Sequence, residues 1–260
     1  MIKKTIHYCW FGGNPLPELV KKCIESWKKF CPEYEIKEWN ETNFNINCCQ
    51  YVKEAYEAQK WAFVSDYCRF WVLYQQGGIY LDTDVELIKS LDDLPENFVG
   101  FEDQTICNSG LIRGAKKGDR ICAKMLDSYQ KDHFLLKDGT YNTQTVCVRE
   151  TNILKAAGLI QDGKKQTVAD TYIYPAEFFS PKSFLTGKLS ITTNTYSIHH
   201  YNGSWYSEEE IFASQLREKY RKYMPAKIAL RFSRFVAIVK KRGVRTAIKE
   251  SIVFLSKKGG

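Results

Sequence analysis

The chain has 260 residues and a mass of 30.2 kDa, and 44% of its residues are hydrophobic, 14% aromatic and 26% charged. This apolar content excludes a disordered chain, and the length fits one α/β domain with an appended segment. No apolar run reaches the length of a membrane span and the chain opens on a strand-like pattern, so we expect neither a transmembrane helix nor a signal peptide. Nine cysteines without a Cys-x-x-Cys spacing predict a reducing cytoplasm rather than a disulfide framework or a zinc site.

The net charge of +8 is divided unevenly along the chain. Residues 216–260 contain fourteen Lys or Arg and two acidic residues, whereas the remainder contains 24 basic and 28 acidic residues. In this tail, cations are interleaved with bulky apolar residues, which is typical of segments that lie on an anionic membrane surface. The alternative is a helical pair that packs on the body with a solvated basic face. The body has no matching basic stripe, so we expect no binding of nucleic acid.

Predicted strands and helices alternate through the first 200 residues. Stretches rich in β-branched and aromatic residues predict strands, and apolar residues at helical spacing predict helices. In chain order we predict a strand at 5–11, a helix between Pro17 and Pro32, a strand at 34–39, helices around 51–58 and at 61–76, extended chain at 79–81, strands at 97–101 and 106–113, helices around 119–130 and 143–157, and strands at 167–174 and 195–200. Strands separated by helices predict a layered α/β domain.

Two aspartates, Asp82 and Asp84, follow a short hydrophobic strand. In extended geometry, residues two apart project from the same side, so both carboxylates are available to one ligand. Hard oxygen donors on a rigid strand end suit Mg²⁺ or Mn²⁺, which in turn bridge nucleotide phosphates. An isolated Asp-x-Asp is also compatible with a simple polar turn.

A second charged pair lies one helix earlier, where Asp66 and Arg69 are three residues apart on one helix face. Unpaired buried charges are costly, so these two side chains either form a structural ion pair or bind sugar hydroxyls. Residues 77–78 are both glycine and form a tight turn that can return the chain. We therefore expect the helix face to line one cleft together with Asp82 and Asp84.

Four stretches occur in a characteristic order: Ile6-His-Tyr-Cys-Trp-Phe-Gly-Gly13, Ser65-Asp-Tyr-Cys-Arg69, Gly77-Gly-Ile-Tyr-Leu-Asp-Thr-Asp84 and His199-His-Tyr-Asn-Gly-Ser-Trp205. Together they resemble the DXD-containing glycosyltransferase family 32, which includes capsular-polysaccharide and Och1-like sugar transferases, and more distantly the glucosyltransferase domains of large clostridial toxins. The resemblance spans about residues 2–205. It implies a GT-A fold, a Rossmann-like α/β domain that binds a nucleotide sugar with a divalent cation, Mn²⁺ or Mg²⁺.

The resemblance also implies roles for individual residues. Trp10 matches an aromatic residue that stacks on uracil, which favours a UDP-sugar as the donor. Asp66 and Arg69 match the pair that holds the donor sugar. Asp82 matches the first aspartate of the DXD motif, near the ribose and sugar, and Asp84 matches the second, on the metal. These four charged residues are the candidate catalytic group.

Further roles fall on later parts of the chain. Asn108 matches a segment that borders the sugar. In the late loop, the Ser204 hydroxyl and the Trp205 indole N–H are expected to bind the diphosphate, and His200 or Asn202 to complete the metal shell.

The resemblance implies a retaining hexosyltransferase that moves a hexose to a saccharide acceptor. We expect that acceptor to be lipid-linked and to belong to surface or capsular polysaccharide synthesis. No carboxylate is an evident nucleophile, so a same-face reaction is favoured, in which the departing phosphate takes the acceptor proton. The acceptor segment, residues 141–151, departs from the family pattern.

Two alternative functions remain at this point. One is a non-catalytic, membrane-surface glycan-binding protein, and the other is a phosphatase-like enzyme with Asp82 as its nucleophile. We divide the chain into a GT-A domain, residues 1–215, and a basic amphipathic helical tail, residues 216–260. The tail predicts a peripheral protein on the cytoplasmic face of the plasma membrane. The sequence gives no oligomeric state.

Overall fold

The computed structural model describes residues 2–202 and 208–256, with side chains for 2–202 and 209–251. These residues form two compact units. The first contains 2–182 and 189–201, and the second contains 183–188, 202 and 208–256. The predicted division after residue 215 stays a prediction, although helix α7 (Glu208–Tyr220) begins before it.

The first unit combines nine strands with six helices in the described residues. The strands are β1 (Thr5–Cys9), β2 (Glu35–Trp39), β3 (Gly78–Tyr80), β4 (Val85–Leu87), β5 (Phe98–Gly100), β6 (Arg113–Ala115), β7 (Gln166–Val168), β8 (Thr171–Tyr174) and β9 (Ser197–His199). The helices are α1 (Glu18–Phe30), α2 (Gln50–Glu57), α3 (Trp61–Gln76), α4 (Arg120–Tyr129), α5 (Val146–Ala156) and α6 (Ala176–Phe179). The predicted α/β class is confirmed.

Seven of these strands form one sheet in the order β2-β1-β3-β6-β5-β8-β7. β1 runs parallel to both β2 and β3, β5 runs parallel to β8, and the other neighbours are antiparallel. A separate two-stranded antiparallel ladder joins β4 to β9 and sets Val85 opposite His199. The chain therefore leaves the large sheet between β3 and β4, where the two predicted aspartates lie.

Helix α3 has the predicted bounds, because its sequence contains neither glycine nor proline and is apolar on several faces. Nine of its residues are buried, and they include Asp66 and Arg69. The helix ends at Gly77, whose φ of 67° lies in the left-handed region that favours glycine. A Cβ on Gly77 would also lie 2.8 Å from the backbone nitrogen of Lys117, so the turn into β3 needs a glycine.

Two predicted strands are wrong in detail. Residues 106–113 are mostly a turn, because the Asn108 side chain accepts a hydrogen bond from the Gly110 backbone N–H and bends the chain before β6. The segment 167–174 is a hairpin of β7 and β8 rather than one strand. Its turn residues Ala169 and Asp170 have φ values of 45° and 66°, which reverse the chain within two residues.

The second unit contains three helices in its described part, α7, α8 (Ala226–Arg242) and α9 (Val244–Ser256). The predicted helical C-terminal extension is thus confirmed. It has three helices, whereas the sequence predicted a pair as the alternative to a membrane-surface segment. Arg242, at the end of α8, forms ion pairs with Glu209 at 2.8 Å and Glu250 at 2.7 Å, which join all three helices. None of the described helices is both long and apolar enough to cross a membrane.

Glu54 on α2 gives a test of the fold. Its carboxylate accepts hydrogen bonds from the backbone N–H groups of Phe134 and Leu135 and contacts the His133 ring. Burial alone would raise the pKa of Glu54, but these hydrogen bonds lower it from 4.5 to about 2. Its contribution is therefore present above pH 4.5 and is lost as the pH falls toward 2.

We expect Glu54→Gln to lower the free energy of unfolding at pH 7 by about 1–3 kcal/mol, since an amide N–H₂ would face backbone donors. Urea denaturation measures the loss, which should shrink as the pH falls below 4.5. Glu57→Gln, at an exposed position of the same helix, is the control and should change little. Equal losses for both variants would contradict the assignment.

Candidate functional site

Arg69 joins the two charged groups that the sequence singled out. Its Nη2 lies 2.8 Å from Asp66 Oδ1 and 3.2 Å from Asp82 Oδ1. The guanidinium also stacks over the Tyr80 ring at 4.8 Å, and the Tyr80 hydroxyl donates to Asp82 Oδ1 at 3.0 Å. The Arg69 side chain is only 4% exposed, so these contacts stabilise a charge that would otherwise be costly to bury.

The buried guanidinium still has an unused donor. Nη1 of Arg69 is buried and has no hydrogen-bond partner among the residues that the structure describes. Beside it, the Asp66 carboxylate accepts a hydrogen bond from Arg69 Nη2 at 2.8 Å, so the position of this acceptor is fixed. A fixed acceptor next to an unused donor is suited to binding a hydroxyl-rich ligand.

Gly110 leaves the space that this cluster surrounds. A Cβ on Gly110 would collide with Asp82 Oδ2, and would lie 2.9 Å from Asn108 Oδ1 and 3.0 Å from Arg69 Nη1. The Gly110 carbonyl accepts from the Asp82 backbone N–H at 3.1 Å, which holds the loop against the first aspartate. The structure therefore brings Asn108, another predicted site residue, to the same cluster.

Asp84 lies at the start of the β4–β9 ladder. His199 Nε2 is 3.1 Å from Asp84 Oδ1, and His199 is buried while Asp84 is half-buried. The predicted metal ligand His200 instead points its ring at Glu86 Oε2, 2.9 Å away, although its backbone N–H bonds the Asp84 carbonyl. The histidine beside the Asp84 carboxylate is thus His199, because successive residues of a strand point to opposite faces.

Four other residues were predicted for the site: Trp10, Asn202, Ser204 and Trp205. Trp10 follows β1 as Asp82 follows β3, so both lie at the carboxyl edge of adjacent parallel strands, where ligands bind in open α/β sheets. The Trp10 indole N–H donates to the Asn14 carbonyl at 2.6 Å. Asn202 belongs to the second unit, and Ser204 and Trp205 lie outside the described residues, so their roles stay predictions.

Burial dominates the electrostatics of the cluster. It raises the pKa of Asp66 to about 6, and the Arg69 guanidinium opposes the rise. Burial also raises the pKa of Asp82, opposed by Arg69 and reinforced by the nearby charge of Asp84. For His199, burial lowers the pKa but the Asp84 carboxylate outweighs it, so the net shift is upward. The repulsion between the two DXD carboxylates favours the arrival of a cation.

The residues present fit a hard divalent cation. Asp82 and Asp84 offer carboxylate oxygens, which Mg²⁺ and Mn²⁺ prefer. Within the described part of the chain, no three His, Cys, Asp or Glu side chains are grouped to hold a metal ion by themselves. A cation here would take its remaining ligands from water or from a bound phosphate, as Mg²⁺ commonly does.

Comparisons with known proteins agree with this geometry. Residues 17–99 match the family model of the glycosyltransferase sugar-binding region containing the DXD motif. Over 105 residues the chain is 32% identical to inositol phosphoceramide mannosyltransferase 3 of Schizosaccharomyces pombe. That match covers 36% of this chain and 27% of the relative, so it spans about a quarter of the relative's length.

Two solved structures are similar at low sequence identity. The PaToxG glycosyltransferase gives a TM-score of 0.46 at 21% identity, over 60% of this chain and 69% of that one. A glycosyltransferase involved in the glycosylation of the major capsid of PBCV-1 gives 0.42 at 11% identity, over 76% of this chain and 94% of that one.

The residues matched by the family model include Asp66, Arg69, Asp82 and Asp84. Residues 17–99 are therefore similar to the sugar-binding region of the DXD-containing glycosyltransferases, and the predicted resemblance is confirmed. His199 is the candidate site residue that the sequence did not reveal. Alternation along the late strand separates His199 from His200, but the register of the β4–β9 ladder is needed to choose between them.

The contact between Gly110 and Asp82 gives a second test. We expect Gly110→Ala to lower the free energy of unfolding by about 1–3 kcal/mol, because the added methyl group displaces the Asp82 carboxylate. The same substitution in an Asp82→Ala background should cost clearly less. A urea-unfolding double-mutant cycle measures this coupling, and strictly additive losses would show that the two residues do not compete for space.

Proposed function

We propose that this protein transfers a hexose from a nucleotide sugar, with a UDP-sugar favoured, to a hydroxyl of a saccharide acceptor. The observation that carries the proposal is Arg69, which bridges Asp66 and Asp82 and keeps one buried donor unused, inside the matched sugar-binding region. The identities of the donor, the acceptor and the cation are part of the proposal.

On this proposal, Arg69 Nη1 donates to a hydroxyl of the donor sugar and the Asp66 carboxylate accepts from a neighbouring one. Trp10 offers an indole face to the base, and a UDP-sugar is favoured for that reason. The two ion pairs of Arg69 hold both carboxylates in place before the sugar arrives, which lowers the cost of ordering them on binding.

Asp84 is proposed to hold a Mn²⁺ or Mg²⁺ ion, with His200 or Asn202 as a further ligand. Such an ion, when bound, neutralises the diphosphate and makes it a better leaving group. His199 Nε2 contacts Asp84 Oδ1 and so fixes the orientation of this carboxylate. Ser204 and Trp205 are proposed to bind the diphosphate oxygens.

The reaction is proposed to retain the configuration of the donor by attack on the same face. The C1–O bond to the diphosphate breaks, the acceptor hydroxyl forms the new C1–O bond, and its proton passes to the departing diphosphate. The contacts of Asp82 weigh against the phosphatase alternative, because Oδ1 of this proposed nucleophile is engaged by Arg69 and Tyr80. Asp82 instead acts as an oriented acceptor.

Substitution of Asp84 tests the proposed activity. We expect Asp84→Asn to lower metal-dependent release of UDP from UDP-hexoses by on the order of 100-fold or more, since the amide binds a hard cation weakly. Release of UDP is measured with Mn²⁺ over a panel of UDP-sugars, and circular dichroism verifies the fold. Asp170→Asn, in the exposed β7–β8 turn, is the matched control. An Asp84→Asn variant with full Mn²⁺-dependent turnover would refute the metal role.

The second unit is proposed to bind an anionic membrane surface from the cytoplasmic side. On α8 and α9, exposed apolar residues are next to exposed basic residues in the sequence. We call this set the basic–apolar surface: Ile228, Phe232, Val244 and Ile248 with Lys227, Arg231, Arg245 and Lys249. Nine free thiols support a reducing compartment. The Schizosaccharomyces pombe relative is named for a lipid, inositol phosphoceramide, and this name supports a lipid-linked acceptor. We propose that this acceptor belongs to surface or capsular polysaccharide synthesis.

Charge reversal on this surface tests the membrane proposal. Each basic residue near an anionic surface contributes about 1 kcal/mol, so Lys227→Glu with Arg231→Glu should lower partitioning onto phosphatidylserine vesicles by at least about 30-fold. Vesicle co-sedimentation of the full chain measures this, with phosphatidylcholine vesicles for comparison. Lys116→Glu with Lys117→Glu, at exposed positions of the first unit, is the matched control. Equal partitioning of all three proteins would contradict the proposal.

A further inference from the structure

Glu102, just after β5, is a half-buried carboxylate to which neither the sequence nor the proposed mechanism assigns a role. It accepts a hydrogen bond from Asn108 Nδ2 at 3.1 Å, and the Tyr201 hydroxyl lies beside it. In the described part of the protein it forms no ion pair. Asp66 and Asp82, in contrast, are paired with Arg69. Glu102 is therefore a carboxylate that a neutral amide hydrogen-bonds, with His199 near enough to act on its charge.

Tyr201 is built to orient this carboxylate. Its hydroxyl is hydrogen-bonded to Ser180 Oγ at 2.8 Å, which holds it beside Glu102. Its ring lies against the His199 ring at a centroid distance of 4.2 Å. The φ of Tyr201 is 56°, in the left-handed region that costs energy for a bulky residue. Such strain concentrates at functional sites.

Short links connect Glu102 to both DXD aspartates. Asn108 donates to Glu102 and accepts from the Gly110 N–H, while the Gly110 carbonyl accepts from the Asp82 N–H. On the other side, His199 connects the Tyr201 ring to Asp84. The side chain of Asn108 thus separates Glu102 from the charged cluster of Asp66, Arg69 and Asp82.

We propose that Glu102 binds a hydroxyl of the saccharide acceptor through a hydrogen bond to its carboxylate. This inference rests on the proposed sugar transfer. A donor-side role is less consistent with the structure, because Asp66 and Arg69 Nη1 already offer an acceptor and a donor to the donor sugar. Diphosphate is excluded as the ligand of Glu102, since like charges repel. A carboxylate beside aromatic rings suits a neutral, hydroxyl-bearing ring.

Equilibrium binding shows whether Glu102 binds a hydroxyl of the donor sugar or a hydroxyl of the acceptor sugar. The probes are UDP with Mn²⁺ for the donor side, and methyl α-mannoside or methyl α-glucoside added to the UDP-saturated protein for the acceptor side. We expect Glu102→Gln to weaken the better-bound glycoside by about 10- to 100-fold, the loss of one hydrogen bond to a charged group, while UDP affinity stays within about twofold. Tyr201→Phe should weaken the glycoside less, because the carboxylate remains but is oriented less well.

Asp103→Asn, on the neighbouring exposed residue, is the matched control and should bind both probes like the natural chain. In a transfer assay, Glu102→Gln should raise the KM for the glycoside with little change in kcat. Unchanged glycoside affinity in Glu102→Gln, an equal loss of UDP affinity, or no saturable glycoside binding to the natural chain would each overturn the inference. A natural chain that binds neither UDP nor a UDP-sugar would instead refute the proposed function.

Discussion

The candidate site depends on one buried guanidinium. Arg69 carries a positive charge at a position that is almost fully closed to water, and Asp66 and Asp82 compensate for it. Helix α3 and the end of strand β3, which are separate in sequence, are therefore held together by the ion pair of Arg69 with Asp82. Its loss would leave the buried guanidinium with one of its two carboxylate partners. The same guanidinium holds both carboxylates in place, and all three residues lie in the matched family region.

The surrounding backbone serves this arrangement. Gly77 reverses the chain so that β3 returns beside α3, and Gly110 lets a loop approach the Asp82 carboxylate more closely than any side chain would permit. From another direction, the Val146 N–H at the start of α5 opposes the rise in the pKa of Asp66, and the Thr151 hydroxyl on the same helix accepts from the Cys107 N–H. The segment 141–151, which departs from the family pattern, thus lies next to Asp66 and to the loop that contains Cys107.

The sequence predicted most where local signals were strong. Helix α3 was predicted to its exact ends because an uninterrupted apolar segment is closed by two glycines, and the spacing of Asp66 and Arg69 followed from helix geometry. The prediction of a strand at 106–113 was wrong because the Asn108 side chain accepts a hydrogen bond from a backbone N–H and bends the chain. The periodicity of apolar residues contains no information about such a side-chain hydrogen bond. Strand register, which selects His199 over His200, depends on pairing between distant segments, and no local pattern encodes it.

The β4–β9 ladder has a consequence for how the site is made. The contact of Asp84 with His199 spans 115 residues, so it forms only after a long stretch of chain has been synthesised and ordered. Until then β4 exposes an unpaired strand edge, which is open to wrong pairings with other chains. Its three-residue length limits the number of backbone hydrogen bonds that such an encounter can form. The aspartate pair thus lies next to a strand whose short length limits wrong pairing during biosynthesis.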